Sequence, residues 1–537
     1  MALVHGWILS LLIFFPLAGI ALLYLLPKVN GKTSDQLIRN VALAITVIEL
    51  LLSLHLIAFF DPALPHLQFA QNLPWLPAST GIRYIVGVDG LSLILVILTT
   101  ILCPLVVLSS FSSIEKHTRE FLALFLLLES AMVGALVAVD LVLFYVFWEA
   151  MLIPMYFIIG VWGGKDRIYA TTKFFIYTVV GSLLMLVAFA YLYCLHGSMP
   201  GKSYTTNLIE LYRTAAELPL DTQLWLFAAT ALAFAIKVPL FPFHTWLPDA
   251  HVQAPTPGSV ILAGVLLKMG TYGLMRFSIP MFPDAAKAAA PVMMSLAVIG
   301  IVYGALIAWR QTDIKKLVAY SSVSHLGFVV AGLFAFNEQG FNGALYQMVN
   351  HGISTGALFL LIGVIYERRH TREMSDFGGL AKVMPWYAVF FIIATMGSVA
   401  LPGTGGFIGE WLILLGVFKA NPVFGVIAGT GVILGAIYML WMVLKTVWGP
   451  LTHEENKVLK DVTGREAFVL GSLCVCIFVF GFASKAILDH AQSTIINLQR
   501  SVSSGTPYQT RLIIKQSVWS DDGAQPLEGQ SVGKVSP

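Results

Sequence analysis

Six residues with proton-exchanging side chains stand in otherwise apolar stretches: Glu149, Lys237, Lys268, His325, His351 and Glu410. Inside a membrane such a group costs ~2.5–3.5 kcal/mol on insertion scales, so it persists only where it faces protein or water and finds a partner. Carboxylate, ammonium and imidazole together are the chemistry of proton relay. A lysine taken out of water holds its proton less tightly, and a nearby carboxylate restores that hold. Moving the carboxylate therefore switches the lysine between keeping and releasing its proton. Glu149 is the candidate countercharge for Lys237. Small polar residues accompany the row: Gln347, Asn350, His351, Ser354 and Thr355 fall on one helix face. Ser321, Ser324 and His325 share another, as do Lys268, Thr271 and Tyr272. Such faces suit ordered water beside the ionisable groups. No catalytic nucleophile arrangement, phosphate loop or metal-ligand cluster competes with this reading. The glycines of "PGTGGFIG" lack the strand–turn–helix setting of a dinucleotide site. Catalytic, cofactor-binding and metal-ligating residues are therefore not expected in this chain.

The elements that must position these groups follow from composition. Of 537 residues 57% are hydrophobic and only 11% charged, against roughly 25% charged in soluble proteins. The net charge of +3 is too small to suggest nucleic acid. Apolar runs of about twenty residues, each able to cross a ~30 Å hydrocarbon core, occur at 7–26, 41–60, 90–110, 121–139, 141–162, 172–195, 223–246, 257–278, 289–309, 316–336, 341–366, 385–418, 424–447 and 466–488. The fold class predicted is an all-α, polytopic membrane bundle of about 14 transmembrane helices. The first run has no charged leader or small-residue cleavage site and reads as a spanning helix. Lysine and arginine concentrate in alternate loops, which by the positive-inside rule places both termini outside. Glu149, Lys237, Lys268, His325 and His351 then sit at nearly one depth, as does Glu129. That geometry describes a wire running parallel to the membrane and not a perpendicular pore.

Two spans are predicted to be broken. Pro239, Pro242 and Pro248 interrupt one, and Pro402, Gly403, Gly405 and Gly406 the other, each freeing helix carbonyls that need polar neighbours. Broken helices in corresponding halves of a bundle point to an ion path. The breaks fall in two tandem units of five helices, 121–278 and 289–447, which an odd helix number inverts relative to each other. The remaining divisions are 1–120 with three helices, 448–490 with the last span, and a polar tail at 491–537 whose end, from about Ser517, is expected to be disordered. An amphipathic piece, "NLIELYRTAAEL", lies between spans on the outer side. Cys103, Cys194, Cys474 and Cys476 read as small buried hydrophobes, without the spacing of an iron–sulfur or haem site. His244, His251 and Glu49 read as packing residues.

"FWEAMLIPMYFIIGVWGG", "IKVPLFPFHTWLPDAH", "LLKMGTYGLMR", "AYSSVSHLGF", "NHGISTGALF" and "GGFIGEW" together resemble subunit M of NADH:quinone oxidoreductase, respiratory complex I, over roughly 120–450. The resemblance implies an antiporter-like subunit that translocates protons. Glu149 would pair with Lys237, Lys268 would be the central lysine, His325 and His351 would link the halves, and Glu410 would end the row. Glu410 stands where the related subunits L and N typically carry lysine, which separates subunit M from them. Glu129 is less general in the family and is assigned no role. The redox chemistry would lie elsewhere: NADH, FMN, iron–sulfur clusters and quinone in partner subunits. The implied partners are the other membrane subunits, especially L and N, in a bacterial inner membrane with the N-terminus outside. The alternatives are a subunit of a sodium/proton antiporter, a plastoquinone-reducing relative, and a structural anchor without transport.

Overall fold

The computed structural model describes residues 2–27 and 34–514. The tail from Ser517 lies outside the described residues, as do Lys28 and Lys32 of the first inner loop. In hydrocarbon a backbone amide has no water to bond, so the long apolar runs close their hydrogen bonds internally as helices. Helices α1 (Ala2–Leu25) and α2 (Asp35–Phe59) lead to a hairpin of β1 (Gln68–Pro74) and β2 (Arg83–Val88). Then come α3 (Gly90–Ser113), α4 (Thr118–Val137), α5 (Leu141–Ala150), α6 (Leu152–Trp162) and α7 (Arg167–Ser198). The short α8 (Leu208–Ala216) is the expected amphipathic piece. It precedes α9 (Leu220–Lys237) and α10 (Trp246–Gln253). The second half holds α11 (Thr256–Met281), α12 (Pro283–Trp309), α13 (Ile314–Leu333) and α14 (Glu338–Arg369). It continues through α15 (Pro385–Ser398), α16 (Gly405–Ala420), α17 (Pro422–Thr446), α18 (Gly464–Phe482) and α19 (Ser484–Ser504). Among the described residues twelve helices are long and apolar enough to cross a membrane.

The two proline- and glycine-interrupted segments are broken where expected. α9 stops at Lys237, and the chain turns through 238–245 before α10. Trp246 fixes that turn by donating its indole N–H to the Ile236 carbonyl at 2.8 Å. α15 stops at Ser398, and 399–404 includes Gly403 at φ +97°, a backbone state that suits glycine. Two further irregularities depart from the sequence reading. The span 141–162 is interrupted at Met151, because Pro154 has no N–H to give the carbonyl of Ala150 one turn earlier. α11 widens into π-helical turns at Leu262–Leu266 and Leu274–Ser278, on either side of Lys268.

One correction to the all-α class and one to the last span's boundary arise on the face that holds the hairpin. β1 and β2 pair antiparallel, with a register shift between Gln68 and Gln71. Apolar alternation in only six or seven residues gave no signal against the surrounding hydropathy. The last span ends at Phe482 and not at 488. There the chain turns into α19, whose Ala491, Thr494, Ile495, Leu498 and Val502 recur at three or four residues and are its buried face. α19 lies over the start of α3, where an added Cβ on Gly90 would stand 2.0 Å from the His490 carbonyl oxygen. The segment after it returns to the hairpin region, with the Ile513 amide donating to the Leu67 carbonyl at 2.8 Å.

Burial divides the bundle into a rim and a centre. α11 and α14 are wholly buried along their apolar windows, whereas α17 and α18 are only 33% and 28% buried. The centre is where charged side chains can be surrounded by protein. α11 approaches α9 there with no room to spare, since a Cβ on Gly270 would meet the Phe234 carbonyl oxygen at 2.7 Å and the Val238 amide at 2.9 Å. Gly270→Ala is therefore expected to push the two helices apart at a cost of about 1–3 kcal/mol. A lowered thermal midpoint of the detergent-solubilised protein would show it; an unchanged midpoint would contradict the close approach.

Candidate functional site

Four of the six expected residues form one buried file. Lys268, on the regular stretch of α11 between its π-helical turns, lies 2.7 Å from Nδ1 of His351. Its ammonium also donates to the carbonyl of Ala263 in the preceding π-helical turn. The His351 and His325 rings meet edge to face with centroids 5.8 Å apart. His325 Nδ1 is 2.9 Å from Oε1 of Glu410. The file crosses α11, α14, α13 and α16 in that order, and those helices pack side by side at the centre. Each of the four residues is at most 5% exposed.

Polar neighbours hold the file's far end. Gln347 donates to Glu410 Oε1 at 2.9 Å, and Asn350 reaches Gln347 at 3.4 Å. These two belong to the polar face of α14 seen in the sequence. Ser398 and Tyr438 both lie 3.4 Å from Nε2 of His325. Neither is a charge in an apolar run. Tyr438 did carry a signal, because a tyrosine in the middle of a span is not at the interface that tyrosines favour. Nε2 of His351 makes no hydrogen bond within the described residues.

The other half of the row is arranged differently. Lys237, the last residue of α9, is buried, and its ammonium has no hydrogen-bond acceptor among the described residues. It rests between aromatic faces, 5.4 Å from the Trp148 ring centroid and 5.4 Å from that of Phe174. Both contacts are cation–π geometry. Glu149 follows Trp148 on the last turn of α5, half-buried, with one carboxylate oxygen buried and unpartnered. The expected Glu149–Lys237 pairing is thus open: no ion pair within 4.0 Å joins them. No direct hydrogen bond links Lys237 to Lys268 either.

The remaining buried polar groups separate from the file. His251 stacks on Phe359 with centroids 4.6 Å apart and planes 10° from parallel. His244 packs against Phe241, Tyr303 and Tyr320. Both pack against rings, but Nδ1 of His244 and both ring nitrogens of His251 make no hydrogen bond among the described residues. Glu49 and Glu129 are fully buried in the first four helices, and their carboxylate oxygens lack hydrogen-bond partners among the described residues. Among the described residues no three His, Cys, Asp or Glu side chains converge as a metal site would require.

Comparison with known proteins places this arrangement. The family described as "NADH:quinone oxidoreductase/Mrp antiporter, TM" matches residues 138–435. The family described as "NADH-ubiquinone oxidoreductase chain 4, amino terminus" matches residues 11–139. NADH-quinone oxidoreductase subunit M of Rhodobacter capsulatus is 46% identical over 502 residues, covering 91% of this chain and 96% of that protein. NADH-ubiquinone oxidoreductase chain 4 of Arabidopsis thaliana is 42% identical over 491 residues, with 91% and 96% covered. A chain of respiratory complex I from Thermus thermophilus with bound NADH has the same fold, with a TM-score of 0.81 at 33% identity, covering 93% of this chain and 99% of that one. The chain belongs to the antiporter-like membrane subunits of NADH:quinone oxidoreductase, in the family of subunit M and chain 4.

Proposed function

We propose that this chain translocates protons through the row Glu149, Lys237, Lys268, His351, His325 and Glu410, as a subunit of an NADH:quinone oxidoreductase. The observation that carries the proposal is the file from Lys268 through two imidazoles to Glu410 across four helices, hydrogen-bonded at both ends and edge to face between the rings. An ammonium beside an imidazole nitrogen can pass its proton to it, and an imidazole beside a carboxylate can do the same. One water between the facing rings completes the step from His351 to His325. Electron transfer from NADH through FMN and iron–sulfur clusters to quinone takes place in partner subunits and drives the row electrostatically. Moving one charge against ~100 mV costs ~2.3 kcal/mol. A change of about two pKa units, each ~1.4 kcal/mol, covers it.

In this reading Lys237 is the switch. Held by aromatic faces and not by a carboxylate, it is poised to release its proton toward Lys268. Closing Glu149 onto it would restore the hold. The two broken segments count as spans, which brings the total to fourteen. The units 121–278 and 289–447 are an inverted pair, with three helices before them and one span after them. The neighbours are the other membrane subunits, subunits L and N above all, in a bacterial inner membrane with the N-terminus outside. Half-buried Glu149 on the rim is placed to sense the adjoining subunit. Isolation of the native complex with flavin and iron–sulfur subunits attached tests the assignment; purification with only transporter subunits would defeat it.

Two sets of variants probe the row. Glu149→Gln keeps shape but removes the countercharge, so the assembled complex should pump poorly, with coupled NADH oxidation falling alongside. Lys237→Arg should fail in the same way, because a guanidinium does not release its proton near neutral pH. Normal proton translocation in either assembled variant would rule out the switch.

At the far end, Glu410→Gln should block turnover, and Glu410→Asp should keep part of it because a carboxylate survives. Glu410→Lys should not restore full pumping, since His325 and Gln347 are set to meet an acceptor. Proton uptake and release by vesicles holding each complex would decide. Full activity of the Lys variant would show that any ionisable group suffices there.

A further inference from the structure

One buried ion pair lies outside the row, on the helix that carries its central lysine. Arg276 follows Lys268 and Tyr272 at intervals of four on α11, so the three share a face. Arg276 stands about 12 Å beyond Lys268 toward the outer side. It is only 4% exposed, and its Nη2 lies 2.5 Å from Oδ1 of Asp89. Asp89 is itself fixed as the cap of α3, accepting from the Leu91 amide at 3.2 Å and the Ser92 amide at 3.1 Å. The guanidinium also donates from Nε to the Tyr272 hydroxyl at 3.2 Å and lies over that ring. The Tyr272 hydroxyl donates in turn to the Leu136 carbonyl at 2.7 Å.

This stack points from Lys268 to the outer face, yet every group in it is unsuited to passing a proton. The proton of the Tyr272 hydroxyl is committed to Leu136. The guanidinium has five donors, no acceptor, and does not deprotonate. A fixed cation of this kind excludes protons in membrane pores. The outer end is also sealed. Tyr212 donates to the Arg276 carbonyl at 2.8 Å, and Tyr508 packs edge-on against Tyr212 with centroids 5.2 Å apart. Tyr508 belongs to the segment after α19, and α19 covers the start of α3.

We propose that Arg276, anchored by Asp89, is a lock that stops protons on the outer side from reaching Lys268 directly, so that the row can discharge only along its length. This rests on the proton-translocation reading above. The test uses the intact complex in sealed vesicles, following collapse of an imposed pH gradient without NADH. Arg276→Gln removes the cation and should accelerate collapse at least about tenfold, equivalent to a barrier lowered by about 1.4 kcal/mol. Arg276→Lys keeps a charge that can deprotonate and should leak at an intermediate rate. Asp89→Asn retains a good cap and keeps the cation but loosens its anchor, so it should leak less than Arg276→Gln. An assembled Arg276→Gln complex that holds the gradient overturns the lock, as does an Asp89→Asn complex that leaks equally. If Arg276→Gln does not assemble, a tight Arg276→Lys complex overturns it. NADH-driven pumping by the unaltered complex is measured in the same vesicles. A tight but poorly pumping Arg276→Gln variant would therefore reject the lock while leaving proton translocation standing.

Discussion

Everything in this molecule follows from placing lysines where there is no water to receive them. Lys268 is 1% exposed at the centre of the bundle. Its ammonium has the Ala263 carbonyl and the His351 imidazole as partners. To supply them, α11 must widen before Lys268 and α14 must bring His351 alongside. α14 in turn must carry Gln347 to Glu410, which requires α16 to start deep in the bundle after the break at 399–404. The two helices that are wholly surrounded by protein, α11 and α14, hold Lys268, His351 and Gln347, and α17 and α18 at the rim are mostly exposed. The order of the bundle is thus the order in which buried charges need partners.

Backbone irregularity accompanies the lysines and glutamates of the row, whereas His325 and His351 sit on the regular helices α13 and α14. Lys237 ends α9 at a turn, Glu149 precedes the interruption at Met151, and Glu410 follows the break after α15. Lys268 lies between two π-helical turns. A regular helix hides its carbonyls in its own ladder, leaving a buried ammonium only side chains to bind. A widened or broken turn presents main-chain oxygens instead, as Ala263 does to Lys268. It also loosens the geometry locally, which suits a residue proposed to change partners.

The sequence made the spans, the two proline- or glycine-rich breaks and the buried charges legible, because each is a local departure in hydropathy or in backbone chemistry. Glu149, Lys237, Lys268 and Glu410 stand out as charges in apolar runs, and Pro239 or Pro402 in mid-span has few other meanings. What remained hidden depends on tertiary context. Ser398 and Tyr438 are ordinary residues until the turn of α15 and the packing of α17 bring both to His325. The π-helical turns have no compositional mark. The hairpin is too short to shift a hydropathy window. α19 has more polar than apolar residues, so its buried face shows only in periodicity, and the sequence around Phe482 reads as one continuing span.

The two halves of the row are unequally connected, and that inequality bears on direction. From Lys268 to Glu410 the groups lie in one file, hydrogen-bonded except between the two imidazole rings, so a proton arriving at Lys268 has neighbours to pass to. Between Lys237 and Lys268 no side-chain hydrogen bond exists, and Lys237 is held by the π faces of Trp148 and Phe174. Aromatic faces stabilise a cation without accepting its proton, and less strongly than a carboxylate does, so they fix the position of the ammonium with a weaker hold on its charge. A carboxylate in the same place would bind both. Under the proposed mechanism the step that can be controlled is therefore the one out of Lys237, and the connected half follows passively. Control at that step needs only a small movement of Glu149 at the end of α5, next to a kink that already lacks one helix hydrogen bond.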